Sequence, residues 1–264
     1  MGSHCATRIT ALALSSALAQ HALAQAGAAP GDTKPQSPFS VAGNLGIFSQ
    51  YVFRGLTQTD RKPAFQGGFD VTHSNGLYAG TWGSNISWLR DAGVATRGGT
   101  VEWDFYAGYK HAIDDDFALD AGVLHYDYPG RYVAGATNPD TTELYVAGAW
   151  KWLSLKYSHA VGNTFGVPHS RNSGYLDLSA NYPITEQFTL NAHVGRQAYQ
   201  GRNDGVDNGD ALTYTDWKLG LTWSANAWNV GAYYTDTNAK DAGYTLAGRN
   251  IGKATATAFV QKIF

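Results

Sequence analysis

The stretch Val101-Glu102-Trp103-Asp104-Phe105-Tyr106-Ala107-Gly108-Tyr109-Lys110 decides the fold class. Val101, Trp103, Phe105, Ala107 and Tyr109 alternate with Glu102, Asp104, Tyr106, Gly108 and Lys110. Successive side chains of a strand point to opposite faces, so this run has one apolar face and one polar face. The same period runs along the chain. Phe65, Phe69 and Val71 oppose Gln66, Asp70 and Thr72, and Leu153, Leu155 and Tyr157 oppose Ser154, Lys156 and Ser158. Leu176, Leu178, Ala180 and Tyr182 oppose Asp177, Ser179 and Asn181, and Leu190, Ala192 and Val194 oppose Thr189, Asn191 and His193. Trp217, Leu219, Leu221 and Trp223 oppose Asp216, Lys218 and Thr222. In Tyr78–Trp88 the even positions (Tyr78, Trp82, Ile86 and Trp88 among them) read as the apolar face, which puts Asn85 on the polar one. Leu144–Trp150 reads as apolar on both faces, and Ala254–Phe264 has weak contrast.

A soluble sandwich also alternates, so the connections must arbitrate. Strands are expected at 39–53, 63–74, 76–88, 100–112, 117–128, 142–150, 152–161, 173–183, 187–198, 212–224, 227–236 and 253–264. The links between them alternate between longer and short, beginning with Arg54–Arg61 and then Ser74-Asn75-Gly76. Transmembrane barrels keep that rhythm, because their periplasmic turns are short and their outer loops long. The expected fold is therefore all-β: a closed antiparallel transmembrane β-barrel of about 12 strands in an up-and-down meander. Tyr78, Phe117, Trp150, Trp152, Tyr182, Phe188, Trp223 and Trp228 flank the short turns, while Phe53, Phe65, Trp88, Tyr126, Tyr128 and Tyr199 lie toward the long loops. Such bands are expected at the two membrane interfaces.

Composition agrees. Charged residues make up 15% of the chain, well below the roughly 25% of ordinary soluble domains. A formal charge of −2 gives no basic surface for nucleic acid. Near the start, Arg8, the apolar Ile9–Ala19 run and the small-x-small sites Ala22-Leu23-Ala24 and Ala24-Gln25-Ala26 predict a signal peptide over 1–26. A Gly/Ala/Pro/Gln/Ser leader is expected over 27–38, and the barrel over 39–264. Cys5, inside the expected signal peptide, is the one cysteine, so no disulfide or cysteine metal site is expected in the mature chain. Export through the periplasm to a Gram-negative outer membrane follows. The expected partners are the export and barrel-assembly machinery, membrane lipid and lipopolysaccharide.

Ser49-x-Tyr51-Val52-Phe53-Arg54-Gly55, Trp82-Gly83-Ser84-Asn85 and Glu102-x-Asp104-x-Tyr106-x-Gly108-Tyr109, with Tyr128-Pro129-Gly130 and Glu143-Leu144-Tyr145 later, resemble the proteobacterial TorF family of porins. The resemblance covers roughly the whole mature chain. It implies an outer-membrane barrel of unestablished substrate, with no catalytic residues and no cofactor to carry over.

If the apolar faces meet lipid, the pore-lining candidates are Arg54, Asp70, Asn85, Glu102, Asp104, Lys110, Asp120, Lys156, Asp177, Asn181, Asn191, His193, Asp216 and Lys218. Both signs occur, so the lumen is expected to be wet or laced with ion pairs, passing small polar solutes or ions. Arg54 is expected opposite Glu102 and Asp104, as a constriction or as a salt bridge that pins register. A closed barrel that binds through its outer loops is the alternative, and a lipid-acting enzyme a weaker one: Ser158 and His159 are adjacent and so point to opposite faces. Asp204, Asp207, Asn208 and Asp210 offer oxygen ligands for Ca²⁺ without the EF-hand spacing, which reads as a solvated loop. His73, His111, His125, His159, His169 and His193 show no metal spacing.

Overall fold

The computed structural model describes residues 37–264; the expected signal peptide and nearly all of the leader lie outside the described residues. Twelve antiparallel strands close into one barrel. They are β1 (Phe39–Phe48), β2 (Ala64–His73), β3 (Leu77–Asn85), β4 (Val101–Ala112), β5 (Phe117–Asp127) and β6 (Thr141–Trp150), then β7 (Leu153–Ala160), β8 (Gly174–Pro183), β9 (Phe188–Ala198), β10 (Tyr214–Ala225), β11 (Trp228–Thr237) and β12 (Thr255–Ile263). Each strand pairs with its sequence neighbours, and β1 pairs with β12 from Asn44↔Ile263 to Phe48↔Phe259. Closure leaves no strand edge with unpaired N–H and C=O groups, which lipid cannot solvate.

The barrel is turned inside out relative to a water-soluble protein. Val41, Leu45 and Ile47 of β1, Leu144 and Val146 of β6, Leu176 and Leu178 of β8, and Leu219 and Leu221 of β10 all point outward and are exposed. Glu102, Asp104, Glu143, Asp177 and Asp216 point inward and are buried. An apolar band of this extent would drive aggregation in water and is the surface a barrel presents to lipid. Near the short turns, Phe117, Trp150, Tyr182, Phe188 and Trp228 remain exposed as the expected aromatic girdle.

Short turns at 74–76, 113–116, 151–152, 184–187 and 226–227 alternate with long connections at 49–63, 86–100, 128–140, 161–173, 199–213 and 238–254. The long ones carry structure of their own. Ala95–Gly98 pairs with Gly130–Tyr132 across two loops, and one-turn helices lie at Trp88–Asp91, Asn208–Leu212 and Asp241–Tyr244. The two buried apolar clusters gather at the long-loop mouth of the barrel, around Tyr51, Trp82, Leu89, Tyr126 and Tyr128 and around Tyr214, Tyr244 and Ile251.

Three expectations are corrected. The first strand does not run to residue 53: it leaves the wall after Phe48 and residues 49–63 turn into the mouth. Of the residues expected in the outer girdle, Tyr126, Tyr128 and Tyr199 are buried, and Phe53 and Trp88 pack against the mouth cluster; Phe65 alone stays outward and exposed. The faces of β3 are reversed. Leu77 and Ala79 face out, so Tyr78 and Trp82 face in and Asn85 lies on the outer side. There Asn85 accepts from the Phe65 N–H (2.7 Å) and donates to the Pro63 carbonyl (3.1 Å), tying down the start of β2.

Candidate functional site: the lumen

The mouth is filled by the chain's own first long connection. Val52–Phe53 and Leu56–Thr57 form a two-residue hairpin. Its central residues Arg54 (φ 46°) and Gly55 (φ 78°) both have positive φ, the pattern of a type I′ turn. Gly55 is required by contact as well as by φ, since a Cβ there would lie 2.4 Å from Thr237 Cγ2 and 2.6 Å from Asp216 Cβ. The hairpin rooted after β1 thus reaches β10 and β11. Arg54 is its anchor, donating to both Glu143 oxygens (3.0 and 2.7 Å) and to Gln197 Oε1 (2.7 Å). Its guanidinium also lies 4.2 Å from the Tyr175 ring centre and 4.8 Å from that of Phe53. Burial opposes the charge on Arg54, but the Glu143 carboxylate beside it more than restores it, and the side chain stays a cation. The expected opposition to Glu102 and Asp104 is therefore corrected: the carboxylate that meets Arg54 comes from β6. Glu102 instead accepts from the Tyr51 hydroxyl (2.6 Å) and so holds the hairpin's base.

Below the hairpin a charged belt crosses one wall. Lys156 faces Asp177 directly across β7 and β8, and His193 faces Lys218 across β9 and β10. His193 lies between two carboxylates, with Nδ1 2.6 Å from Asp177 and Nε2 2.5 Å from Asp216. Ser179 donates to Asp177 (2.5 Å) and Tyr175 to Asp216 (2.9 Å). Nearer the short turns, Asn191 donates to Asn181 (2.6 Å) and accepts from Thr222 (2.7 Å).

The opposite wall is aromatic. Tyr106 donates to Asp70 (2.5 Å), Tyr78 donates to Asp120 (2.7 Å), and the Tyr78 and Tyr145 hydroxyls share a hydrogen bond. Lys110 sits directly across from Asp120. These rings lie over glycines directly opposite them: Tyr106 over Gly80, Tyr78 over Gly108 and Tyr145 over Gly122. Phe259 over Gly231 repeats the arrangement across the barrel. Each ring folds flat onto the wall only because its partner has no Cβ. At Gly122 a Cβ would meet the Ala107 carbonyl oxygen and the Tyr145 hydroxyl, both at 2.5 Å. Gly122→Ala is accordingly expected to cost about 1–3 kcal/mol by overpacking, read from urea unfolding of the barrel in lipid vesicles. An unchanged midpoint would show that the wall yields freely.

All the pore-lining candidates except Asn85 face inward or, as with Arg54, enter the lumen. Sequence reasoning missed Glu143, Gln197, Tyr51 and Tyr175, which do as much to organise the mouth. The missed signal at β6 is a period of two carried by Glu143, Tyr145, Ala147 and Ala149, inward residues that simply lack polarity after the first. Asp207, one of the oxygen-bearing loop residues, caps the Asn208–Leu212 turn by accepting from the Gly209 (2.8 Å) and Asp210 (3.2 Å) N–H groups. Among the described residues no group of three or more His, Cys, Asp or Glu side chains converges on a point that would hold a metal ion.

The family model for a bacterial protein of unknown function, Gcw_chp, matches residues 32–264. The chain belongs to the Gcw_chp family. No curated relative matches its sequence. Solved structures similar to this Gcw_chp barrel include an outer membrane channel from Pseudomonas putida F1, with TM-score 0.53 at 14% identity over 90% of this chain and 100% of that one. The KdgM porin has TM-score 0.52 at 11% identity, covering 84% of this chain and 99% of that one. The NanC porin has TM-score 0.50 at 14% identity, over 85% and 98% of the two chains. At these identities the likeness is one of fold. The Gcw_chp chain has the closed barrel of outer-membrane porins, while its lumen chemistry has to be read from its own side chains.

Proposed function

We propose that this Gcw_chp protein is a narrow outer-membrane channel for small polar solutes or ions, gated or constricted by the Ser49–Pro63 connection. The expected export, the outward apolar band and the TorF resemblance support that location. The observation that carries the reading is the lumen itself. A barrel serving only as a scaffold could fill its interior with apolar side chains. This one lines an internal cavity of about 130 Å³ with Lys156, Asp177, His193 and Lys218, and turns Asp70, Lys110, Asp120 and Asp216 inward elsewhere on its wall. Charged walls of both signs favour hydrated solutes and set selectivity by position. With Arg54 anchored across the mouth, the passage is expected to be small.

Single-channel recording of the refolded mature protein in a planar bilayer tests this. Discrete steps of low conductance, with selectivity shifted by Glu102→Gln at the mouth, are expected. A folded barrel that gives no steps at any voltage would overturn the channel. It would favour the second reading, a closed barrel binding through its outer loops, for which the packing of Phe53 against Tyr126 and Phe165 speaks.

A further inference from the structure

Two buried amides and an aromatic ring share one row of the barrel wall. Gly46 of β1 lies directly opposite Gln66 of β2 on one side and Gln261 of β12 on the other. Both glutamines are buried and line the cavity beneath the hairpin. Their backbones stand two strand spacings apart, about 10 Å, and the curvature of the wall turns the two side chains toward each other. Between them the row has no side chain of its own, because residue 46 is glycine. The Phe48 ring leans into that gap, and a Cβ at position 46 would lie 2.7 Å from Phe48 Cε2. Phe48 in turn stacks on Phe259 at 5.1 Å, and both rings line the same cavity. The result is an aromatic floor with a planar amide on either side.

The amides are short of partners. Gln66 makes no side-chain hydrogen bond among the described residues, although it is only 6% exposed. Gln261, 3% exposed, donates at 3.4 Å to Asn44, and its buried Oε1 has no donor among the described residues. Each amide offers two N–H donors and an acceptor oxygen, and leaving such groups unmet in a buried site is costly. The charged side chains of the cavity, by contrast, have one another. The carboxylates of Glu143, Asp120 and Asp177 act on Lys156, and those of Asp177 and Asp216 on Lys218. His193 lies between Asp177 and Asp216. What is left for a solute is therefore neutral: amides that donate and accept, beside a flat apolar ring. A hydroxyl likewise donates and accepts at one atom. A pyranose sugar carries hydroxyls around its rim and C–H bonds on its faces, so a face can lie on an aromatic ring while the rim reaches the amides. We propose that this row is a binding site for a neutral monosaccharide, its ring against Phe48 and its hydroxyls on Gln66 and Gln261. The site names a solute class for the channel reading and rests on it in one respect: the sugar must reach the lumen from water.

The test is a saturation-transfer NMR titration of the refolded barrel with methyl β-glucopyranoside, glycerol and benzoate, in a detergent without a sugar headgroup. The glucoside is expected to bind at least tenfold more tightly than either of the others. The pair Gln66→Leu with Gln261→Leu should abolish that preference, and Phe48→Leu should weaken the glucoside while leaving glycerol unchanged. Heat-modified migration on gels verifies that each variant remains a closed barrel. Equal binding of glycerol would overturn the role of the aromatic floor, and equal binding of benzoate the neutrality of the site. Glucoside binding undiminished in the double leucine variant would place the sugar elsewhere and overturn the site. The bilayer recording keeps the two proposals apart. Conductance steps without glucoside binding defeat this site and leave the channel standing, whereas binding without steps defeats the channel and leaves the site.

Discussion

Replacing Arg54 by alanine is expected to raise single-channel conductance and to lower the stability of the barrel by about 3–5 kcal/mol. Both effects come from one side chain. The guanidinium holds the hairpin tip to β6 through two hydrogen bonds to Glu143 and to β9 through Gln197. Removing it leaves the Glu143 carboxylate buried without its cation, which is the costly half of a broken ion pair. It also removes the contacts to the Tyr175 and Phe53 rings. The hairpin would then be held mainly by Tyr51 on Glu102 and by the packing of Phe53 on Phe165. Arg54→Lys keeps the charge but not the paired geometry, so an intermediate result is expected. Urea midpoints for Arg54→Ala, Glu143→Gln and the double variant form a cycle whose coupling reports the pair directly. Additive midpoints with unchanged conductance would show that the hairpin is held by its aromatic packing and that Arg54 is no latch.

The barrel was legible in the sequence because its two determinants are local. A period of two fixes which residues share a face, and turn length fixes which strands are neighbours. Both survive without knowledge of any long-range contact. The interior was legible where inward residues are strongly polar, as at Asp177, Asn181, Asn191, His193, Asp216 and Lys218. It failed at β3, where the inward residues are Tyr78, Gly80 and Trp82. Their polarity does not mark them as lumenal, because each tyrosine is accommodated by a glycine on the next strand and satisfied by a carboxylate on a third. Tyr78 lies over Gly108 of β4 and donates to Asp120 of β5. That relation spans strands and has no signature inside one run. The mouth failed for a similar reason. Arg54 was visible as a charge at the end of a strand, but its partner depended on where the hairpin travels. The left-handed Arg54-Gly55 turn sends it across the barrel toward Glu143. The outward aromatic reading of Tyr126 and Tyr128 broke down because Phe53 of the incoming hairpin and Trp88 of the next long connection give these rings an aromatic surface to pack against.

The second large effect tests the inside-out arrangement itself. Lys218 and Leu219 are consecutive on β10 and face opposite ways: Lys218 lines the internal cavity, and Leu219 is half exposed on the outer surface. Leu219→Lys would place an ammonium one residue away from a native one, but against hydrocarbon rather than the lumen. Near the bilayer midplane that is expected to cost about 2–4 kcal/mol. The same lysine placed at Thr222, inward on the same strand and lining the cavity, should cost only about 1 kcal/mol, for the lost hydrogen bond to Asn191. Reversible urea titrations of the two variants in phosphatidylcholine vesicles give the comparison directly. If Leu219→Lys proves no costlier than Thr222→Lys, the outer band does not meet lipid at that depth. An inserted barrel has no way to escape the difference. Neither the strand's hydrogen bonding nor its propensity distinguishes positions 219 and 222. What separates them is the side of the wall on which the charge must be solvated.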